Sequence, residues 1–190
     1  MAFAVSSFQS ALSGGGARPS LFNLTITGVN AGGAAGSAGG GLESLHMLCS
    51  ATSLPGLTVT PIERTYFGRV TKIPGDMVFA DLTTTIILDE DYAPRNQIEQ
   101  WMAAMNSHET NERAIGNGMG SEGATGKLKQ FSKGADSSAE TVAAVHIVNF
   151  VDIFPTTLSE VALSYDTVSE ISSFEVTWAY QYYTIDSGTK

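Results

Sequence analysis

From Phe174 to Tyr183 the chain alternates, with Phe174, Val176, Trp178, Tyr180 and Tyr182 on one parity and Glu175, Thr177, Ala179, Gln181 and Tyr183 on the other. A period of two belongs to a β-strand, whose successive side chains point to opposite faces. One face of this strand is therefore apolar and the other polar. The same rhythm recurs at residues 21–27, with Phe22, Leu24 and Ile26 against Asn23, Thr25 and Thr27. It appears again at residues 82–88, where Leu82, Ile86 and Leu88 oppose Thr83 and Thr85, with Asp81 just before on the polar parity.

Further β-prone runs occupy residues 45–52, 57–64, 65–73, 141–154 and 161–166, and the last alternating run extends to Ile185. Leu54-Pro55-Gly56 supplies the dihedrals of a turn, so the two runs around it form a hairpin or one sharply bent strand; Pro74-Gly75 ends the next run. The run at 141–154 is nearly continuously apolar, as suits a strand covered on both faces. One segment keeps a different period: from Pro94, favoured in a first helical turn, Ile98, Trp101, Met102 and Met105 recur at spacings of three and four. That stripe is expected to lie on a sheet as core. The fold class is thus mainly β, an antiparallel sandwich or barrel with one flanking α-helix.

At 190 residues the chain fits a single domain, residues 1–190. An N-terminal arm (1–16), a Gly/Ala/Ser tract (28–41) and a long Gly/Ser/Asn/Lys-rich stretch (106–139) lack the periodicity of packed elements and are expected to be loops. The long stretch carries a basic cluster, Lys127, Lys129 and Lys133. Elsewhere acid dominates: 19 acidic residues against 10 basic ones give a formal charge of -9, which argues against a protein that grips phosphate backbones. Only 15% of residues are charged, leaving much uncharged surface available as interface. The single Cys49 can close no internal disulfide, in keeping with a reducing compartment. The start has no basic n-region, and the longest apolar stretch is broken by His146, Asn149 and Asp152, so neither a signal peptide nor a membrane span is expected.

Motifs of chemistry are missing or out of context. Gly118-Met119-Gly120-Ser121-Glu122-Gly123 fits G-x-G-x-x-G, but it follows a helix and leads into none, whereas a dinucleotide site needs a strand before it and a helix after. Gly126-Lys127 lacks the rest of a P-loop. His46, His108 and His146 are not at metal-ligand spacing, and no nucleophile elbow or acid/base pair is present. The expectation is a non-enzyme with no cofactor, no metal and no catalytic residue.

Four segments, in order, carry a resemblance. Ala17-Arg18-Pro19-Ser20-Leu21-Phe22-Asn23-Leu24-Thr25-Ile26 is similar to the opening of the tail tube proteins of contractile-tailed bacteriophages. It is followed by Cys49-Ser50-Ala51-Thr52-Ser53-Leu54-Pro55-Gly56, by Gly75-Asp76-Met77-Val78-Phe79-Ala80-Asp81-Leu82 with Asp89-Glu90 beyond, and by Phe174-Glu175-Val176-Thr177-Trp178-Ala179-Tyr180. The two loop tracts depart from the pattern as expansions. The resemblance implies a β-barrel-like subunit, six of which form a ring whose inner wall is a continuous barrel, with rings stacked inside a contractile sheath. It implies as partners further copies of the chain, the tail sheath protein, a tape measure protein inside the tube, and baseplate and tail terminator proteins at the ends. It further implies that DNA passes through without specific binding and that the protein belongs to the virion tail, assembled in the host cytoplasm.

Related tubes from tailocins, extracellular injection systems and type VI secretion share these features and remain an alternative; a monomeric ligand-binding barrel is the reading from another class. Two sets of site residues follow. Asp81, Thr83, Thr85, Glu175, Thr177 and Gln181 alternate with apolar neighbours on strands that the resemblance places in the inner barrel, and are expected to face the lumen. Phe3, Val5, Phe8, Leu12, Arg18, Pro55, Arg64, Tyr66, Phe67 and Arg69 lie in stretches too broken by Gly or Pro to complete a core alone, and are expected to make contacts between subunits.

Overall fold

The computed structural model describes residues 5–12, 16–28, 42, 45–110, 124–132, 144–166 and 170–187. Its elements are α1 (Val5–Ala11), β1 (Phe22–Thr27), α2 (Leu45–Leu48), β2 (Cys49–Thr52), β3 (Leu57–Tyr66), β4 (Arg69–Phe79), β5 (Leu82–Ile87), α3 (Ala93–Met105), β6 (Thr125–Phe131), β7 (Ala144–Val151), β8 (Phe154–Leu158), β9 (Ser173–Ala179) and β10 (Tyr182–Ser187). All strand pairs are antiparallel. Two four-stranded sheets, in the orders β1-β6-β7-β10 and β2-β5-β9-β8, share one core, and β3 and β4 form a separate two-stranded arm.

The alternation read from the sequence is what builds the core. Leu24 and Ile26 from β1, Leu128 from β6 and Val148 and Phe150 from β7 face Leu82 and Ile86 from β5 and Phe174, Val176 and Trp178 from β9. Helix α3 closes this core with Ile98 and Trp101, and the Trp101 and Trp178 rings lie 5.9 Å apart. Arg95 on the same helix sits over the Phe174 ring, ion-pairs with Glu99 and donates to the Ser159 carbonyl. The buried hydroxyl of Thr84 accepts a hydrogen bond from Trp178 Nε1 at 2.9 Å and donates to the Val176 carbonyl, so the indole nitrogen is buried without loss.

Two long runs that read as single strands are each divided between the sheets. The run at 141–154 ends β7 at Val151, bends at Asp152, whose φ of 54° is left-handed, and restarts as β8 in the other sheet. Within the subunit β7 is therefore covered on one face, with Ile147, Asn149 and Val151 only half-buried on the other. The run at 174–185 breaks at Tyr180 and Gln181, and the corner shifts the parity: Tyr180 and Tyr183 turn toward the core side, while Tyr182 is exposed. Such corners let a strand leave one layer and join the next, which closes a sandwich toward a barrel.

Other expectations change as well. Residues 45–48 form α2 rather than strand, with Leu45 buried. The turn at Leu54-Pro55-Gly56 joins no hairpin; it carries the chain from β2 into the separate arm. The arm turns at Phe67-Gly68, in the middle of the run read at 65–73, and β4 passes straight through Pro74-Gly75. Proline is tolerated there because the arm has only two strands, so each has a free edge. Gly75 is required by close packing, since a Cβ would lie 2.6 Å from the Thr60 carbonyl oxygen at the bulge. Residues 161–166 form no strand, and β6 arises inside the stretch read as a long loop. The G-x-G-x-x-G segment, most of the Gly/Ala/Ser tract and Lys133 lie outside the described residues.

Candidate conduit face and assembly surfaces

The register of β5 with β9 brings four of the six candidate lumen residues together. Thr83 is paired with Thr177 and Thr85 with Glu175 on the face turned away from the core. Neighbouring strands extend this face with hydroxyls and small side chains: Thr157 on β8 pairs with Thr177, and Ala51 on β2 pairs with Thr85. Ser50 and Thr52 hydroxyls donate to the Thr85 and Thr83 carbonyls across the β2–β5 edge. The other two candidates lie apart. Gln181 is exposed at the corner between β9 and β10, its N–H donating to the Val151 carbonyl. Asp81 is exposed just before β5.

Sequence reasoning missed a second polar face, on the outside of the β1-β6-β7-β10 sheet. There Lys127 pairs with Thr25 and Asn149, Lys129 with Asn23 and Ile147, and Asn149 Nδ2 donates to Asp186 at 2.6 Å. The face was invisible because β6 was read as loop: Gly126 holds an inward position with no side chain to count as apolar. A Cβ there would meet Phe150 and Ile153 at 3.2 Å, so the glycine is the imprint of Phe150 packing. The signal that could have found the strand is the alternation of Ala124, Gly126 and Leu128 with Thr125, Lys127 and Lys129.

Most of the assembly candidates are exposed among the described residues. On α1 and just past its end, Val5, Phe8 and Leu12 recur at helical spacing and all are exposed, Phe8 by 66%. Phe3 lies outside the described residues. Arg18 is exposed while its carbonyl accepts from Gln130 Nε2, and Pro55 is half-buried at the root of the arm.

The β3–β4 arm is the larger case. Its strands run 10 and 11 residues, about 33 Å of extended chain. Leu57, Val59, Ile62, Val70, Ile73, Met77 and Val78 are exposed along it. Arg64, Tyr66 and Arg69 share one face with Ile62 and Ile73, whereas the opposite face carries an ion pair of Glu63 with Lys72 at 3.3 Å. At the tip Phe67 and Gly68 both have positive φ, 47° and 76°, the backbone of a tight hairpin turn. A bulky residue there is strained, yet Phe67 is held out 90% exposed against the edge of Tyr66. Among the described residues the arm is tied to the body at its root, where Phe79 packs on Tyr180 and Tyr183, the Tyr180 hydroxyl donates to the Ala80 carbonyl, and Ala80 N–H donates to the Gly56 carbonyl.

Two ionisable groups are shifted. Burial pushes the Cys49 thiol up to about 11, partly offset by its contact with the Ala51 carbonyl. Burial, with the charges of Tyr183 and Asp81 nearby, pushes Tyr180 up to about 12. Neither is poised as a nucleophile near neutrality. Among the described residues no three His, Cys, Asp or Glu side chains gather as a metal site, and no helix is long and apolar enough to cross a membrane.

Comparison with known proteins bears on the fold and the family. Tail tube protein gp19 of Enterobacteria phage T4 is 27% identical over 174 residues, 90% of this chain and 93% of the relative. The gp19 of Enterobacteria phage T6 is 28% identical over the same shares. Among solved structures, a chain of the sheath-tube complex of the extracellular contractile injection system PVC superposes with a TM-score of 0.61 at 16% identity, covering 98% of this chain and 99% of that one. A chain of the anti-feeding prophage tube-terminating cap gives 0.59 at 16% identity, covering 90% and 91%. The model of the phage tail tube protein family matches residues 17–186, and the chain belongs to that family.

Proposed function

We propose that this chain is the building block of a contractile phage tail tube, a structural subunit whose copies join into six-membered rings that stack into a conduit for DNA. The observation that carries this reading is the β3–β4 arm. A two-stranded hairpin on its own is marginal in water, and this one exposes apolar side chains on both faces, so it is completed by neighbouring copies. Helix α1 has the same character. Its stripe of Val5, Phe8 and Leu12 finds its cover in another copy.

The outer face of the β2-β5-β9-β8 sheet lines the conduit in this proposal. Thr83, Thr85, Thr177 and Glu175 present hydroxyls and one carboxylate, whereas the outer face of the other sheet presents Lys127 and Lys129. A face whose strands carry no lysine or arginine pairs no phosphate charge and releases no counterions, and at 6 × (-9) = -54 formal charges per ring the tube repels a polyanion. DNA then slides without specific binding. The sheath protein covers the outside, a tape measure protein occupies the tube during assembly in the host cytoplasm, and baseplate and terminator proteins meet its two ends. No step of this function calls on a catalytic residue or a cofactor.

The fold is shared with contractile injection devices, and the gp19 likeness over nine-tenths of the chain is what favours a phage tail. Electron microscopy of the purified protein tests the proposal. Tubes of stacked rings with sixfold end views and an open channel are expected. A protein that stays monomeric at every concentration would overturn it.

A further inference from the structure

The arm and the body differ in charge as well as in burial. The arm carries Arg64, Arg69 and Lys72 against Glu63 and Asp76, a balance of +1, and the rest of the chain therefore carries -10. Glu63 and Lys72 neutralise each other on one face. The opposite face holds Arg64 and Arg69 beside Tyr66, with no ion-pair partner among the described residues. Two free guanidinium groups, an exposed phenol and the projecting Phe67 thus form a compact basic and apolar tip.

An acidic counterpart lies past the end of β5 that is farther from the root of the arm. Strand β5 starts beside the root of the arm, where Ala80 bonds Gly56, and ends at Ile87, just before Leu88, whose N–H donates to the Ser172 carbonyl. Its six residues separate the two ends by about 20 Å. Immediately beyond Leu88 come Asp89, Glu90 and Asp91 in an exposed turn, with exposed Glu170 and Ile171 on the connector that Ser172 ends. None of these four acids takes part in an ion pair among the described residues.

We infer that the tip of the β3–β4 arm docks, arginine face first, on the Asp89, Glu90 and Asp91 turn of a second copy of the chain. The inference rests on the reading of the protein as a tube subunit, and it names a contact that such a tube uses. The two unlike patches, one at the tip of the arm and one beyond the far end of β5, form no ion pair with each other within the chain among the described residues. They can satisfy each other head to tail between copies, the heterologous arrangement that builds rings and filaments. Arginine suits the role, because its planar fork bonds carboxylates through paired N–H groups. Ile62, Tyr66 and Phe67 meet Ile171 around that ionic centre and exclude water from it.

Three charge-reversed chains test the contact: R64E/R69E, D89K/D91K and the chain that combines all four changes. All the residues concerned are exposed, and the one hydrogen bond lost is local, from the Glu90 N–H to the Asp89 carboxylate, so each variant keeps the wild-type circular dichroism and melts within a few degrees of wild type, on the order of a lost surface hydrogen bond. At low ionic strength each double variant needs at least about tenfold more protein to form tubes, measured by light scattering and checked by microscopy. The combined chain, with both patches swapped, recovers polymerisation to near the wild-type concentration. The deficit of the double variants narrows at high salt, where like charges are screened. Wild-type polymerisation by either double variant, or a combined chain no better than the worse of the two, would overturn the contact. A wild-type chain that forms no tubes would instead strike the tube reading itself.

Discussion

The sandwich core and the β3–β4 arm are built from the same residue types and treat them in opposite ways. In the core Leu82, Ile86, Phe174, Val176 and Trp178 are all but sealed from water, and even the one buried hydroxyl, Thr84, has its partners. Along the arm Val59, Ile62, Val70, Ile73, Met77 and Val78 stand exposed on strands that are individually longer than any strand of the core. The core stabilises the subunit. The arm spends its apolar surface outside it, which is the arrangement expected of a part that becomes buried only when copies meet.

Substitutions should therefore separate the two regions by what they damage. Trp178→Ala opens a large cavity and leaves Thr84 without its indole partner, so the isolated subunit should lose about 3–5 kcal/mol in denaturant unfolding. Loss of less than about 1 kcal/mol would mean that the core is not organised around this ring. Removing residues 1–16 should do the reverse. The truncated subunit should unfold at the wild-type denaturant concentration and yet fail to make long tubes, a failure seen by microscopy; normal tubes would remove α1 from the assembly.

Phe67→Asn sharpens the contrast at a single position. Asparagine accepts the left-handed backbone better than phenylalanine, so subunit stability should stay level or rise by a few tenths of a kcal/mol. Tube yield should nonetheless fall, because the tip has lost its aromatic contact. A variant that is both less stable as a subunit and normal in assembly would show that Phe67 serves the fold.

The conduit face calls for a functional readout. Tubes carrying Asp81→Lys and Glu175→Lys should assemble normally but release DNA more slowly at low salt, with the defect shrinking as ionic strength rises. Of the two positions Glu175 should matter more, since it lies on the shared face with Thr83, Thr85 and Thr177 whereas Asp81 precedes the strand. Equal ejection rates at low salt, in intact tubes, would exclude wall charge at these positions.

The smallest expected effect is a pH dependence confined to the body. The Cys49 thiol is raised from 9.0 to about 11 and Tyr180 from 10.0 to about 12, so the unfolded chain releases both protons before the folded one does. Stability should thus be complete below about pH 9 and fall as pH rises from 9 toward 12. In Cys49→Ala the earlier part of that fall should shrink, read as a denaturation midpoint that drops less than in the wild type from pH 9 to 10, where only Tyr180 begins to contribute.

The strand-rich class, the inward residues of β1, β5 and β9, and the helix from Pro94 were legible in the sequence, because each is a local pattern of side chains with one period. The outward grouping of Thr83, Thr85, Thr177 and Glu175 followed from the same alternation once β5 and β9 were paired. What the sequence did not reveal depends on contacts between distant residues. Strand β6 hides behind Gly126, whose small size is dictated by Phe150 on another strand. The sheet changes at Asp152 and at Tyr180 and Gln181 are set by which layer receives the chain next, so runs that look continuous are divided and Gln181 leaves the face its parity assigned to it. The arm is the clearest case: its residues read as β-prone like those of the core, and only the tertiary structure, by setting β3 and β4 apart as a two-stranded sheet, leaves their apolar side chains exposed among the described residues.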